Sequence, residues 1–172
     1  AEDEMEGLIA ALKEARAQSV AVCLLFSFLN PEHERRLGER LRAGLPGVPI
    51  YLSCEVLPEV KEFERTSTTV ACAYVGPVLA SYLQQLDETT RRGGLPPVYV
   101  MGSNGGILET AEAVAMPVVT VESGPAAGVV AAALVAQQTG VSNLLSFDMG
   151  GTTAKASLIR EARYETTTEY EV

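Results

Sequence analysis

Between Leu144 and Ile159 the chain reads LLSFDMGGTTAKASLI. An apolar run reaches Asp148, passes Met149, and turns through Gly150, Gly151, Thr152 and Thr153 before becoming apolar again. Two glycines allow a turn with positive φ angles and bare backbone. Amides exposed in such a turn converge on a phosphate, as in other anion-binding nests. Thr152 and Thr153 would add hydroxyl donors, and Asp148 would hold Mg²⁺ directly or through water. The same residues also suit a plain hairpin, whose Asp and Thr side chains satisfy turn amides. Two further glycine loops lie nearby: GSNGG (102–106) and ESGPAAG (122–128), each where a predicted strand gives way to a predicted helix. In open α/β sheets ligands gather at the carboxyl ends of strands, and helix N-termini favour anions. Ser103, Asn104, Gly105, Gly106, Ser123 and Gly124 are therefore candidates to line a cleft. The competing reading is that these glycines merely close short βα loops.

Other reactive side chains read as surface or core. His33 is the sole histidine, so any Ser-His-Asp arrangement would depend on it; among Glu32, Glu34 and Arg35 it reads as a solvated helix residue. Glu55, Glu59, Glu62 and Glu64 alternate with Lys61 and Arg65 as a charged surface. The stretch ERTSTT (64–69) suits either helix capping or contact with a substrate. Cys23, Cys54 and Cys72 lack metal-ligand spacing and are odd in number, which points to thiols in a reducing compartment.

The elements that must position these residues follow from periodicity. Met5, Leu8, Ile9 and Leu12 predict an amphipathic helix over 3–17. VAVCLLF (20–26) predicts a strand covered on both faces. Asn30-Pro31 starts a helix that Gly44 ends. VPIYLS (48–53), PVYVMG (97–102) and VVTVES (118–123) predict strands. Helices are expected from Thr66 to about Arg92, with Pro77 kinking it or marking a fresh start, through ILETAEAVA, and over 125–138. Alternating strands and helices indicate α/β with crossover connections and a mostly parallel sheet up to about residue 140. Strands 144–148 and 153–160 and the tail YETTTEYEV then read as a β-meander.

Composition narrows the function classes. The chain has 172 residues, 20% of them charged, with a net charge of −9. That balance argues against general nucleic-acid binding, which needs a basic footprint. No apolar run approaches the length of a membrane span and no signal peptide opens the chain, so a cytoplasmic protein is expected.

The segments NPEHERRLGERL, LPEVKEFERTSTTVACAYVGPVLASYL, GSNGGILETAEA, VESGPAAGVVAAALVA and LLSFDMGGTTAKASLI together resemble the hydantoinase A / 5-oxoprolinase family, including N-methylhydantoinase A-type proteins. The resemblance covers about Val20 to Ile159. It implies a ribonuclease H-like, actin-like ATPase fold of two lobes with ATP and Mg²⁺ in the cleft. Residues 1–140, with connecting helix 125–138, would be the end of the first lobe. Residues 141–172, with phosphate loop 148–153, would begin the second. The resemblance implies that ATP activates a cyclic amide or ketone for ring hydrolysis or carboxylation, with a hydantoinase B-like partner subunit or domain. Asp148 corresponds to the catalytic, Mg²⁺-placing acid, Gly150 and Gly151 to the backbone cradle, and Thr152 and Thr153 to the phosphate-binding hydroxyls. Lys155 resembles the hydantoinase and ketone-carboxylase side more than the oxoprolinase side. A non-catalytic actin-like scaffold or reactivating chaperone would use the same turn. The family's first phosphate loop and adenosine region have no counterpart in this sequence. The chain therefore reads as an internal piece, expected to be inactive alone.

Overall fold

The computed structural model describes residues 2–165. Its contacts divide it into two units: residues 1–96 with 114–118, and residues 97–113 with 119–172.

In the first unit, α1 (Glu2–Glu14) precedes β1 (Val20–Val22), α2 (Glu32–Gly44), β2 (Ile50–Leu52), the short α3 (Ser53–Val56) and the long α4 (Glu62–Arg92). β1 and β2 pair in parallel, Val20 opposite Ile50 and Val22 opposite Leu52. Val22, Leu41, Leu45, Ile50 and Leu52 form the core, with Ile9, Leu12 and Leu37 packed on it. α2 lies close to β2 because Gly38 has no side chain: a Cβ there would sit 2.8 Å from Leu52 Cδ1.

The predicted strand 20–26 ends at Val22. Leu24 donates its amide to Glu34 Oε1 (2.6 Å) and its carbonyl accepts from Arg65 Nη2 (2.9 Å), so side chains take the place of sheet partners. Glu34 is fully buried and also accepts from Ser53 Oγ (2.6 Å) and the Cys54 amide (2.8 Å). Burial alone would raise its pKa, but the Ser53 hydroxyl and the Leu24 and Cys54 amides outweigh burial and hold it below the usual value. Arg65, equally buried, bonds Glu59 O (3.2 Å) and Glu62 and lies 5.4 Å over the Phe28 ring. The residues that read as a charged surface thus include the hub of this unit's interior.

α4 is one continuous helix across Pro77, beginning four residues before the expected start. Proline lacks the amide that would serve the carbonyl of Ala73; the Ser19 hydroxyl donates to that carbonyl instead. Gly76 admits the Tyr51 ring, whose Cζ would be 2.7 Å from an added Cβ. Cys54 and Cys72 are buried and Cys23 is half-buried. Burial, with Glu34 alongside, pushes the Cys54 thiol up to about 12, as expected of unreactive core thiols.

In the second unit, β3 (Tyr99–Met101) pairs antiparallel with β4 (Ile107–Glu109). α5 (Thr110–Ala115) and a 3₁₀ turn over Pro117–Thr120, of which residues 114–118 belong to the first unit, lead to α6 (Ser123–Thr139). β5 (Leu144–Met149) and β6 (Ala154–Ile159) form an antiparallel hairpin with Leu144 opposite Ile159. Ala133, Ala136 and Ile159 are its buried centre.

The α/β class is as expected, but the mostly parallel sheet is not. The described residues form three two-stranded ladders, of which only β1–β2 is parallel. GSNGG turns the chain back into a hairpin instead of launching a helix. The predicted strand 118–123 is the 3₁₀ turn and the start of α6, because Val119 O accepts from the Ser103 amide (2.6 Å) and is used there. The β5–β6 hairpin matches the expected strands to within a residue at each end. The last part of the expected meander, 166–172, lies outside the described residues. No described helix is long and apolar enough to cross a membrane.

Candidate functional site

Sequence chemistry shapes the 102–106 turn directly. Asn104 Oδ1 accepts from the Gly106 amide (2.9 Å), an Asx turn. The Gly102 amide donates to Gly106 O (2.8 Å), closing the β3–β4 hairpin. Gly105 stands at φ +81°, and a Cβ on it would lie 3.0 Å from Val130 Cγ2 of α6. Both conditions favour glycine. Gly105→Ala is expected to destabilise the second unit by roughly 1–3 kcal/mol, read as a lower urea midpoint; an unchanged midpoint would show that the turn can relax.

Ser103 then ties this turn to α6. Its hydroxyl donates to Val119 O (2.8 Å) and accepts from the Glu122 amide (3.1 Å). The Glu122 carboxylate pairs with Lys155 Nζ on β6. Lys155 is the cross-strand neighbour of Asp148. A chain of polar contacts therefore runs from the 102–106 turn through the start of α6 to the β5–β6 hairpin.

These elements enclose a cleft of about 1000 Å³ within the second unit. Ser103, Asn104 and Gly105 line it, together with Lys155, Arg160 and Arg163. Gly106, Ser123 and Gly124 lie beside it in the chain without lining it, Ser123 and Gly124 being in the first turn of α6. Sequence reasoning missed Glu122, Arg160, Arg163 and Tyr164 as lining residues. The signal that could have found them is that cations thin out after Arg92 and reappear only at 155, 160 and 163.

The β5–β6 turn stands apart from that cleft, contributing none of its lining residues. Asp148, Gly150, Gly151, Thr152 and Thr153 are exposed. The Gly150 amide donates to Thr153 O (3.0 Å). Neither Gly150 nor Gly151 has positive φ, unlike the turn expected. A four-residue connection does not need the left-handed geometry that a two-residue hairpin demands. Their value here is access: a Cβ on either would meet nothing within 4 Å. No group of three His, Cys, Asp or Glu among the described residues could hold a metal ion. One carboxylate nevertheless suits Mg²⁺, which takes one or two protein carboxylates and completes its shell with phosphates and water.

The model of the hydantoinase/oxoprolinase family matches residues 65–172, and that of the hydantoinase/oxoprolinase N-terminal region matches residues 1–45. The alpha chain of the caprolactamase of Pseudomonas jessenii is 36% identical over 152 residues, which is 88% of this chain and 22% of that protein. The crystal structure of the ATP-dependent caprolactamase from the same organism superposes with a TM-score of 0.77 at 34% identity, covering 91% of this chain and 23% of that one. A nucleotide-free acetone carboxylase structure gives a TM-score of 0.77 at 28% identity, with 94% and 23% covered. The chain thus spans less than a quarter of these relatives. With its larger part matched by one family model, and its N-terminal part by the companion model, the chain belongs to the hydantoinase/oxoprolinase family.

Proposed function

We propose that the whole protein is an ATP-dependent enzyme subunit that activates a cyclic amide or ketone for ring hydrolysis or carboxylation. The observation that carries this is the open glycine turn that begins two residues after Asp148, in a family whose relatives include an ATP-dependent caprolactamase. On this reading residues 1–140 end one lobe of an actin-like ATPase and residues 141–172 begin the next. ATP, when bound, supplies the phosphoryl group or driving force that makes the amide or ketone oxygen reactive. The chain's own residues do the positioning. The Gly150 and Gly151 backbone lies open to the phosphates, Thr152 and Thr153 offer hydroxyl donors, and Asp148 holds Mg²⁺ or orients the attacking group. Ser103, Asn104 and Gly105 border the substrate's cleft. Relatives named as subunits support a hydantoinase B-like partner, and a cytoplasmic location is part of the proposal.

The test is ATP hydrolysis by the whole protein with its partner, measured across cyclic amides and ketones. One class is expected to raise turnover by roughly tenfold or more, because the correct substrate completes the site. A rate indifferent to every compound in both classes would refute the reading.

A further inference from the structure

The second unit concentrates its positive charge on one concave surface. The chain has 13 lysines and arginines, and beyond Arg92 the only ones are Lys155, Arg160 and Arg163. All three line the cleft. Three carboxylates share the lining, Glu122, Glu161 and Glu165, and Glu122 is engaged by Lys155.

We propose that this cleft binds a small molecule through an oxyanion, a carboxylate or a phosphate, held between the guanidiniums of Arg160 and Arg163. The two arginines face each other across a tight turn: the Arg160 amide donates to Arg163 O (2.9 Å) and the Arg163 amide to Arg160 O (2.8 Å). Like charges directly opposite each other repel. Among the described residues neither guanidinium has a hydrogen-bond or ion-pair partner. The central residues, Glu161 and Ala162, stand at φ 53° and 57°, where glycine or asparagine is the low-cost choice. Such a conformation persists only where its surroundings over-determine it. They do so here: the Ala162 amide bonds Ser142 O (2.7 Å), the Glu161 amide bonds Asn143 Oδ1 (3.2 Å), and Gln137 Nε2 bonds Ala162 O (3.4 Å). The arginines are thus fixed side by side at the cleft. An oxyanion between them removes the repulsion and meets two planar donor forks suited to bidentate bonding. Ser103 and Asn104 also line the cleft, and Val129 and Val130 add apolar surface to it.

The inference rests on this cleft being the substrate's site and names its ligand class, but it does not depend on the glycine turn. The test uses the whole protein, titrated calorimetrically with inorganic phosphate and, separately, succinate. At least one should bind at millimolar levels, and which one binds identifies phosphate or carboxylate as the recognised group. Arg160→Gln combined with Arg163→Gln should weaken that anion by roughly tenfold or more, with Mg·ATP affinity unchanged. If the paired Gln variant does not fold, Arg160→Lys with Arg163→Lys, which keeps both charges and loses the forks, should still weaken it several-fold. Anion affinity that survives these changes overturns the proposal. So does phosphate that competes with Mg·ATP, or the absence of binding by either anion. An effect of Asp148 on ATP turnover is read separately, so failure of either reading is visible without the other.

Discussion

Asp148→Asn is expected to lower ATP turnover of the whole protein by roughly 100-fold or more while leaving its thermal midpoint unchanged. The side chain is exposed on β5, and the ladder it belongs to is built by backbone pairing opposite Lys155. An amide of the same shape therefore has no packing to disturb. What it removes is the single carboxylate at the mouth of the glycine turn, the group proposed to hold Mg²⁺ or orient the attacking group. Because an amide binds Mg²⁺ weakly, the residual rate should also demand more Mg²⁺ than the unmodified protein. Turnover and Mg²⁺ dependence like those of the unmodified protein would leave the turn as a plain hairpin.

The largest stability effect is expected at Glu34. Its carboxylate satisfies the Leu24 amide, the Ser53 hydroxyl and the Cys54 amide at one buried point. Glu34→Ala strands all three donors, and each unsatisfied buried group costs about 1–3 kcal/mol. A loss of roughly 3–5 kcal/mol follows, a large part of a typical domain's margin of about 5–15 kcal/mol. The sign with pH is fixed by the lowered pKa. The stabilisation is fully present above the ordinary value of 4.5 and fades as pH falls through the lower folded-state value. Urea midpoints of the unmodified protein and Glu34→Gln, compared at neutral pH and below pH 4.5, isolate this group from the other carboxylates. The gap between them should narrow on acidification. A gap that is constant or widens would mean that Glu34 is not ionised in the fold.

Glu34 also shows why much of the interior was illegible. A carboxylate beside Glu32, His33 and Arg35 has the composition of a wet helix face, and its three donors come from segments distant in sequence. Arg65 was hidden in the same way within ERTSTT. What could be read was local: the amphipathic spacing of α1 and α2, the small-residue α6, and the β5–β6 hairpin flanking its glycines. Strand identity failed where the backbone's partner was remote. VVTVES has strand composition, yet Val119 O is taken by Ser103. GSNGG signalled a turn correctly, but glycine content does not reveal whether a helix or a returning strand follows. Asn104 was the informative residue, because its side chain makes the Asx turn that sends β4 back along β3. At the cleft, Ser103, Asn104 and Gly105 were legible as loop residues. The arginine pair was not, since its meaning depends on the turn that sets the two side by side.

The first unit is discontinuous in sequence, with residues 114–118 returning to it after the chain has built β3 and β4. Met116 and Val118 pack on the cluster of Tyr51, Cys72 and Ala73, and the Tyr51 hydroxyl donates to Val114 O at 3.4 Å. During synthesis this cluster must therefore wait, open on one side, until residue 118 has left the ribosome. Long-range closure of this kind is slow relative to local pairing. Proteolytic nicking between Pro97 and Ala113 would break the connection on which that closure relies, and a piece ending at Pro96 would expose Tyr51 and Cys72 where Met116 and Val118 belong.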